Sequence, residues 1–360
     1  MPDLTPDRRV IFPLMRLLPI SIALMFTCTL AAAQSGPPAS SSLPPVEPPA
    51  TMPNESADHS TFQVTTTEVL VPTLVEKKDG GILYGLKPDD FVLEDNGVPQ
   101  KIRVQEEMDT APVALVVAVE QGGASVLEFD KLAKLGPLLD LFLSDPKSQV
   151  ALVGFDSTQH LIEDFTHNGD LINDDLKNLD PGDGGAAILD TTSYAVNLLE
   201  SQPKEFRRVL LLISEERDHG SKHTKTEALI KQIGESDVLV LSVSFSPGAA
   251  EFVHDLKDNG DNRTLNMVSA LVMLVKGLEK NVTKEVAEMS GGEYTTFMGD
   301  KKFEQRIVDA ARDARNRYLI TFSPSDPTPG LHSIKVRTAV DYGARIVARA
   351  NYWVAGPDGQ

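Results

Sequence analysis

The strongest constraint on this chain lies in its short apolar runs, Val113 to Val119, Val150 to Val153, Val209 to Ile213 and Val238 to Val243. A strand with one wet face alternates apolar and polar residues, and these runs do not alternate. Apolar on both faces, they belong in a parallel sheet covered by helices above and below. Helix-like stretches fall between and after them. Val126 to Leu143 carries Leu127, Leu132, Leu135, Leu138, Leu139 and Leu141, interrupted at Gly136-Pro137. Ala187 to Leu199, Thr224 to Ile233, Val282 to Met289 and Phe303 to Arg317 follow. The βαβα succession predicts an open, doubly wound, mostly parallel α/β fold over residues 112–317.

Both flanks of that region read as β. Ahead of it, within 61–111, Phe62 to Glu76 is rich in Val and Thr, and a turn at Lys78 to Gly81 leads into Ile82 to Leu86. Another turn at Lys87 to Asp90 precedes Phe91 to Glu94, and Asp95-Asn96-Gly97 is a hairpin signal before Gln100 to Gln105. Behind it, within 318–355, strands are expected at Tyr318 to Ser323, Ser333 to Thr338 and Arg345 to Val354, ahead of a short tail, 356–360. Neither flank has enough apolar residues for a core of its own. The expectation is therefore one composite β-sandwich with the α/β domain inserted into it.

The first 33 residues read as an export signal. Arg8, Arg9 and Arg16 precede an apolar run from Leu17, and Ala31-Ala32-Ala33 places small residues before a cut at Gln34. The run is slightly short for an uncleaved anchor helix, so no membrane span is expected after cleavage. Cys28, the single cysteine, falls inside it, which leaves the mature chain without disulfides or thiolate metal sites. Residues 34–60 are rich in Pro, Ser and Ala and read as a linker. With 52 acidic against 34 basic residues and a net charge of −18, the chain repels phosphate backbones, which argues against nucleic-acid binding. A secreted or periplasmic bacterial protein is the reading these features support.

From Pro112 onward the order of signals resembles the von Willebrand factor type A (VWA) domain, and the flanks resemble its VWFA-related Acidobacterial group. The resemblance rests on Leu86 to Gly97 followed by Pro99 to Ile102, on Ala287-Glu288-Met289-Ser290-Gly291-Gly292-Glu293-Tyr294, and on Arg317-Tyr318-Leu319-Ile320-Thr321-Phe322. It implies a central sheet of order 3-2-1-4-5-6, with a ligand crevice at the carboxyl ends of strands 1 and 4. Those ends are Glu120 and Glu215, and Gly184-Gly185-Ala186 closes over them.

Metal-binding members of the family place Asp-x-Ser-x-Ser after strand 1, a Thr in a middle loop and an Asp after strand 4, all hard oxygen ligands for Mg²⁺. The positions that align here are Glu120, Gly122, Ala124, Ala186 and Glu215. Three hydroxyls are gone and each carboxylate is one methylene longer, so no metal or other cofactor is expected. A shift of one residue would recruit Ser125 but misplace Glu120. Arg217 and Lys222 are candidates to neutralise the two glutamates. The expected interaction face comprises Glu120, Gln121, Gly122, Gly123, Ala124, Ser125, Gly184, Gly185, Ala186, Ser214, Glu215 and Glu216. Its expected partner is another protein.

Other signals carry less. His219 and His223 lack a third zinc ligand. Asp255 to Asp261 lacks the ligand alternation of a calcium loop, and Gly182-Asp183-Gly184-Gly185 has no following Lys-Ser or Lys-Thr. Met267 to Leu278 is apolar enough for a packing helix, with a partner surface as the second reading. The sequence thus describes a non-enzymatic interaction or scaffold protein. A Mg²⁺- or Ca²⁺-dependent adhesion module using Glu120 and Glu215 comes next, and a hydrolase using that pair third.

Overall fold

The computed structural model describes residues 68–105, 111–245 and 267–356, all within one compact unit, Gln63–Gln360. The signal segment, the linker, Cys28, Asp255 to Asp261 and residues 357–360 lie outside the described residues.

The central sheet contains β5 (Val113–Glu120), β6 (Gln149–Phe155), β7 (Gln159–Thr166), β8 (Arg207–Ser214), β9 (Leu239–Phe245) and β10 (Tyr294–Phe297). They lie in the order β10-β9-β8-β5-β6-β7, all parallel except β7, which runs antiparallel to β6. Counted along the chain, this is the expected 3-2-1-4-5-6 order. The apolar runs divide their side chains between two cores. Val113, Leu115, Val117 and Val119 pack with Leu132, Leu139, Ile172 and Ile307 on one face. Ala114, Val116 and Ala118 pack with Ile188, Leu229 and Val286 on the other. Each large aliphatic side chain buried this way contributes about 1.5–3 kcal/mol, and both faces need covering for that gain to be realised.

The covering elements are α1 (Phe129–Leu132), α2 (Gly136–Leu139), α3 (Gly169–Lys177), α4 (Ile188–Glu200), α5 (Thr226–Glu235), α6 (Met267–Lys280), α7 (Val282–Ser290) and α8 (Asp300–Arg315). The stretch expected as one interrupted helix, Val126 to Leu143, is instead a 3-10 turn at Gly123–Glu128 followed by α1 and α2. Pro137 has no N–H to give a preceding turn, so α2 restarts with it in the first turn. The apolar α6 does pack: Ala270, Leu271, Leu274 and Val275 lie against the second core, and Val272 and Met273 stay exposed.

The flanks form β1 (Val69–Glu76), β2 (Phe91–Asp95), β3 (Val98–Pro99) and β4 (Ile102–Gln105), then β11 (Tyr318–Phe322), β12 (Gly330–Thr338), β13 (Arg345–Ala348) and β14 (Asn351–Val354). They make two sheets, β13-β1-β11-β4 and β14-β12-β2-β3. Each interleaves strands from before and after the α/β region: Val69 stands opposite Phe322, and Asp95 opposite Ile334. One core joins them, with Phe91 edge-on to Tyr318 at 5.1 Å and Phe322 to Tyr352 at 5.7 Å. Asn96 and Gly97 turn β2 into β3 with φ of 48° and 80°, the left-handed pair that a two-residue hairpin needs.

Two expectations for the flanks fail in detail. Ile82 to Leu86 is not a strand, because β1 already has β11 on one edge and β13 on the other. Ile82 bridges to Glu76 and the Leu83 N–H donates to the Val75 carbonyl at 2.8 Å, while the Tyr318 hydroxyl accepts from the Leu86 N–H and donates to the Leu83 carbonyl. Arg345 to Val354 is two strands, one in each sheet. The break falls at Arg349, whose buried guanidinium donates to the Ile233 and Gly234 carbonyls at 2.7 Å each and to Asn351 at 2.8 Å. That anchor on the end of α5 carries the chain from one sheet to the other.

Candidate functional site

At the carboxyl end of the parallel sheet, β5 and β8 diverge to opposite sides, and the crevice this creates is where the sequence placed the site. Glu120 ends β5 and is 1% exposed. One carboxyl oxygen, Oε2, accepts the backbone N–H of Glu215 at 2.9 Å, tying the ends of β5 and β8 together. The other, Oε1, has no partner. Burial pushes the Glu120 carboxyl up to about 8; the Glu215 N–H works against that and the nearby Glu215 charge adds to it. Glu215 turns to His219, which pairs with it. The side chain that meets Glu215 is therefore His219, not Arg217 or Lys222.

The loop from Asp180 to Ala187 is laid over the start of the β5 loop by hydrogen bonds. Gln121 Nε2 donates to the Asp180 carbonyl at 3.0 Å, Gly182 N–H to the Gln121 carbonyl at 2.9 Å, and Gly123 N–H to the Asp183 carbonyl at 3.1 Å. The approach is so close that a Cβ on Gly122 would stand 2.1 Å from the Gly185 carbonyl oxygen and 2.7 Å from that of Asp183. The position where the resembled motif has a serine is thus filled by a neighbouring backbone. Ser125 is no substitute, since it is buried and its hydroxyl donates to the Gly122 carbonyl at 2.6 Å. Ala186 is buried, and its carbonyl accepts the His219 N–H at 3.1 Å.

Three carboxylates that the sequence did not single out fix these loops. Asp183 Oδ1 accepts N–H groups from Gly185 at 2.8 Å and Ser157 at 3.0 Å, and those bonds, Gly185 first, hold its carboxyl below the usual range. Asp156 Oδ2 accepts the Asp183 N–H at 3.0 Å. On α4, Asp190 accepts from Thr224 at 2.6 Å, Lys222 at 2.8 Å and His223 at 3.2 Å. Burial pushes Asp190 up, but those N–H bonds outweigh it and the carboxyl sits low. Asp218 and Ser221 complete the clasp at the start of α4: Asp218 accepts the Leu189 N–H at 3.0 Å, and Ser221 accepts the Asp190 N–H at 2.9 Å. Asp190 had one sequence signal, an acid in the first turn of a helix beside a loop rich in donors.

The donor set does not fit Mg²⁺. Hydroxyls are absent at 122, 124 and 186, Ser125 is committed, and Glu120 is a buried acid with a raised affinity for its proton. Octahedral coordination by six close oxygens has no such set to draw on. Among the described residues no group of three His, Cys, Asp or Glu side chains is placed to hold a metal ion. His223 instead gives its backbone N–H to Asp190. Beside the crevice, Ala124, Leu127, Glu128, Phe245, Phe297, Met298 and Gly299 line an open cleft of about 200 Å³.

No family model and no curated protein sequence matches the chain. Among solved structures it is similar to an aerotolerance-related membrane protein from Bacteroides fragilis, at 15% identity over 55% of this chain and 98% of that one, with a TM-score of 0.39. It is also similar to a von Willebrand factor type A protein from Catenulispora acidiphila, at 7% identity over 76% of this chain and 74% of that one, with a TM-score of 0.42. The vWF domain of a type V pilus tip protein from Porphyromonas gingivalis gives 19% identity over 30% and 39%, with a TM-score of 0.27. These are likenesses of fold, and the architecture is fixed by this chain's own strands. A six-stranded sheet of order 3-2-1-4-5-6, antiparallel only at its third strand and covered by helices on both faces, makes this a domain of the von Willebrand factor type A fold.

Proposed function

We propose that this chain is an exported, non-enzymatic protein-interaction module, related to the VWFA-related Acidobacterial group, that binds another protein at the crevice face without a metal. One observation supports the reading: backbone carbonyls of Asp183 and Gly185 fill the space beside Gly122 where the resembled motif has a serine side chain. Gln121, Gly122, Ser125, Gly185, Ala186 and Ser214 are closed over with Glu120. What a partner can touch is Gly123, Ala124, Gly184, Glu215 and Glu216, with Val126 and Leu127 beside them. Export rests on the N-terminal segment, and Gln34 at the mature N-terminus by mass spectrometry is its check. Among the described residues no helix is long and apolar enough to cross a membrane.

The test is site-specific photo-crosslinking in the native host. A crosslinker at Gly184, where a side chain meets nothing within 4 Å, or at exposed Val126 should trap one protein, with EDTA making no difference. The same group at exposed Lys335 on the distant β12 should not trap it. Equal trapping at all three positions contradicts the reading. Loss of trapping in EDTA favours the second one, a Mg²⁺- or Ca²⁺-dependent adhesion module, for which the unpartnered Oε1 of Glu120 is the supporting observation.

A further inference from the structure

The crevice face runs sideways into the open cleft of about 200 Å³, and the residues around that cleft are not those of a finished surface. Exposed positions on a 3-10 turn or a strand-to-helix loop ordinarily carry polar side chains. Here Leu127, on the turn after β5, is 79% exposed, and Met298, between β10 and α8, is 66% exposed; both line the same cleft. Phe245 and Phe297, buried at the ends of β9 and β10, form more of its wall, with ring centroids 6.3 Å apart and planes at 67°. Phe303 of α8 packs on Phe297, the centroids 4.9 Å apart. Ala124 takes up little of the space, and a Cβ on Gly299 would meet nothing within 4 Å, so the mouth stays open. Among the described residues of the lining Glu128 alone is charged, and Lys131 Nζ stands 2.6 Å from its Oε2. Asp300, next to Gly299, is paired in the same way with Lys134.

We propose that this cleft receives an aromatic side chain of the partner protein and so anchors the partner beside the crevice, which rests on the interaction role proposed for that face. Charge selects first. The acids at the mouth are already matched by lysines, so a cationic group has little to gain, and apolar walls return nothing to a charged one for its lost water. The occupant is therefore uncharged. Size selects next: an apolar cavity of about 150 Å³ takes up benzene, and the space here has room for a ring. The walls select last, because phenylalanine rings and a thioether sulfur favour a ring over an aliphatic chain of similar bulk. Position agrees with all three. Ala124 belongs both to the crevice face and to the cleft, and Val126 and Leu127 lead from one to the other. A protein seated on the crevice covers Leu127 and Met298 with the same contact. Interfaces draw most of their affinity from a few such residues in pockets, aromatic ones foremost.

Methyl NMR of the full chain, titrated with N-acetyltryptophanamide, tests the cleft by itself. The Met298 methyl should shift saturably, with half-saturation on the order of 1–10 mM. Met273 on α6, exposed to a similar degree at 61%, is the control for unspecific contact and should not move. N-acetylleucinamide should bind at least about threefold more weakly, and Leu127→Ser, at a surface position, should weaken the tryptophan probe about threefold. An unmoved Met298, a Met273 that follows it, or equal binding of the two amides overturns the proposal. The partner is tested by crosslinking from Gly184: Leu127→Ser with Met298→Ser should cut trapping about tenfold. Trapping undiminished in that double variant overturns the aromatic anchor and leaves the interaction role intact. No trapping in the wild type overturns the interaction role, and the anchor falls with it.

Discussion

The crevice and the seam where the flanking sheets meet the α/β domain both bury charge, but they satisfy it in opposite ways. At the crevice, Glu120, Asp183, Asp190 and Asp218 receive backbone N–H groups from loops of the same α/β domain. At the seam, Arg312 and Arg345 reach Glu76, Arg317 reaches the Gly291 carbonyl, and Arg349 reaches those of Ile233 and Gly234, all on other elements of the chain. Backbone donors are what organise these crevice loops, and the proposal of a metal-free face rests on that. Guanidiniums that bridge distant segments do something else: they hold a composite structure together.

The largest effect should come from the seam. Arg349→Ala leaves the Ile233 and Gly234 carbonyls buried without a donor, and unfolding measurements should show a loss of about 3 kcal/mol or more. Deprotection should spread through β13 and β14 in hydrogen exchange. Loss confined to the α5 terminus would break the comparison. Next in size is Asp190→Ala, which strands three N–H groups and should cost about 2–3 kcal/mol at neutral pH. Asp190 is held low, so its contribution is present above the ordinary carboxylate range and fades as the solution is acidified. The penalty of the variant should shrink accordingly in acid melts.

A third prediction concerns Glu120, whose raised proton affinity works in the opposite sense. The native state pays for charging it, so stability from the neutral acid is fully present below about 4.5 and falls as pH rises through about 8. Glu120→Gln should match the wild type at pH 4 and exceed it by on the order of 2 kcal/mol at pH 9. Parallel curves for the two proteins across that range would remove the buried-acid reading. The smallest effect expected is that of Gly122→Ser. Restoring a hydroxyl by sequence forces the 183–185 backbone aside, and thermal melts should show a cost of about 1–2 kcal/mol with no gain in metal affinity.

The parallel sheet was legible because each strand announces itself locally. Val113 to Val119 needs no partner to be read as buried on both faces, and its side chains do divide between two cores. The antiparallel strand β7 was not legible: it is an edge strand with its side chains largely at the surface, so Gln159 to Thr166 carries no apolar pattern. The flanks gave strand positions but not all their limits. Ile82 to Leu86 has the composition of a strand, yet both edges of β1 were taken by segments hundreds of residues later. At the crevice, the missing hydroxyls could be read from Gly122, Ala124 and Ala186, whereas the roles of Asp183 and Asp190 could not. Those roles depend on which backbone N–H groups face them, a property of loop shape that residue type alone does not encode.

The account turns on the proposal that the crevice works without a metal. A ligand that binds only the folded state raises the melting temperature when present well above its dissociation constant. Thermal melts of the mature chain in millimolar Mg²⁺, in millimolar Ca²⁺ and in EDTA therefore test it most directly. The three curves should superimpose, for the wild type and for Glu120→Gln alike. A clear stabilisation by either ion that Glu120→Gln abolishes would contradict the account.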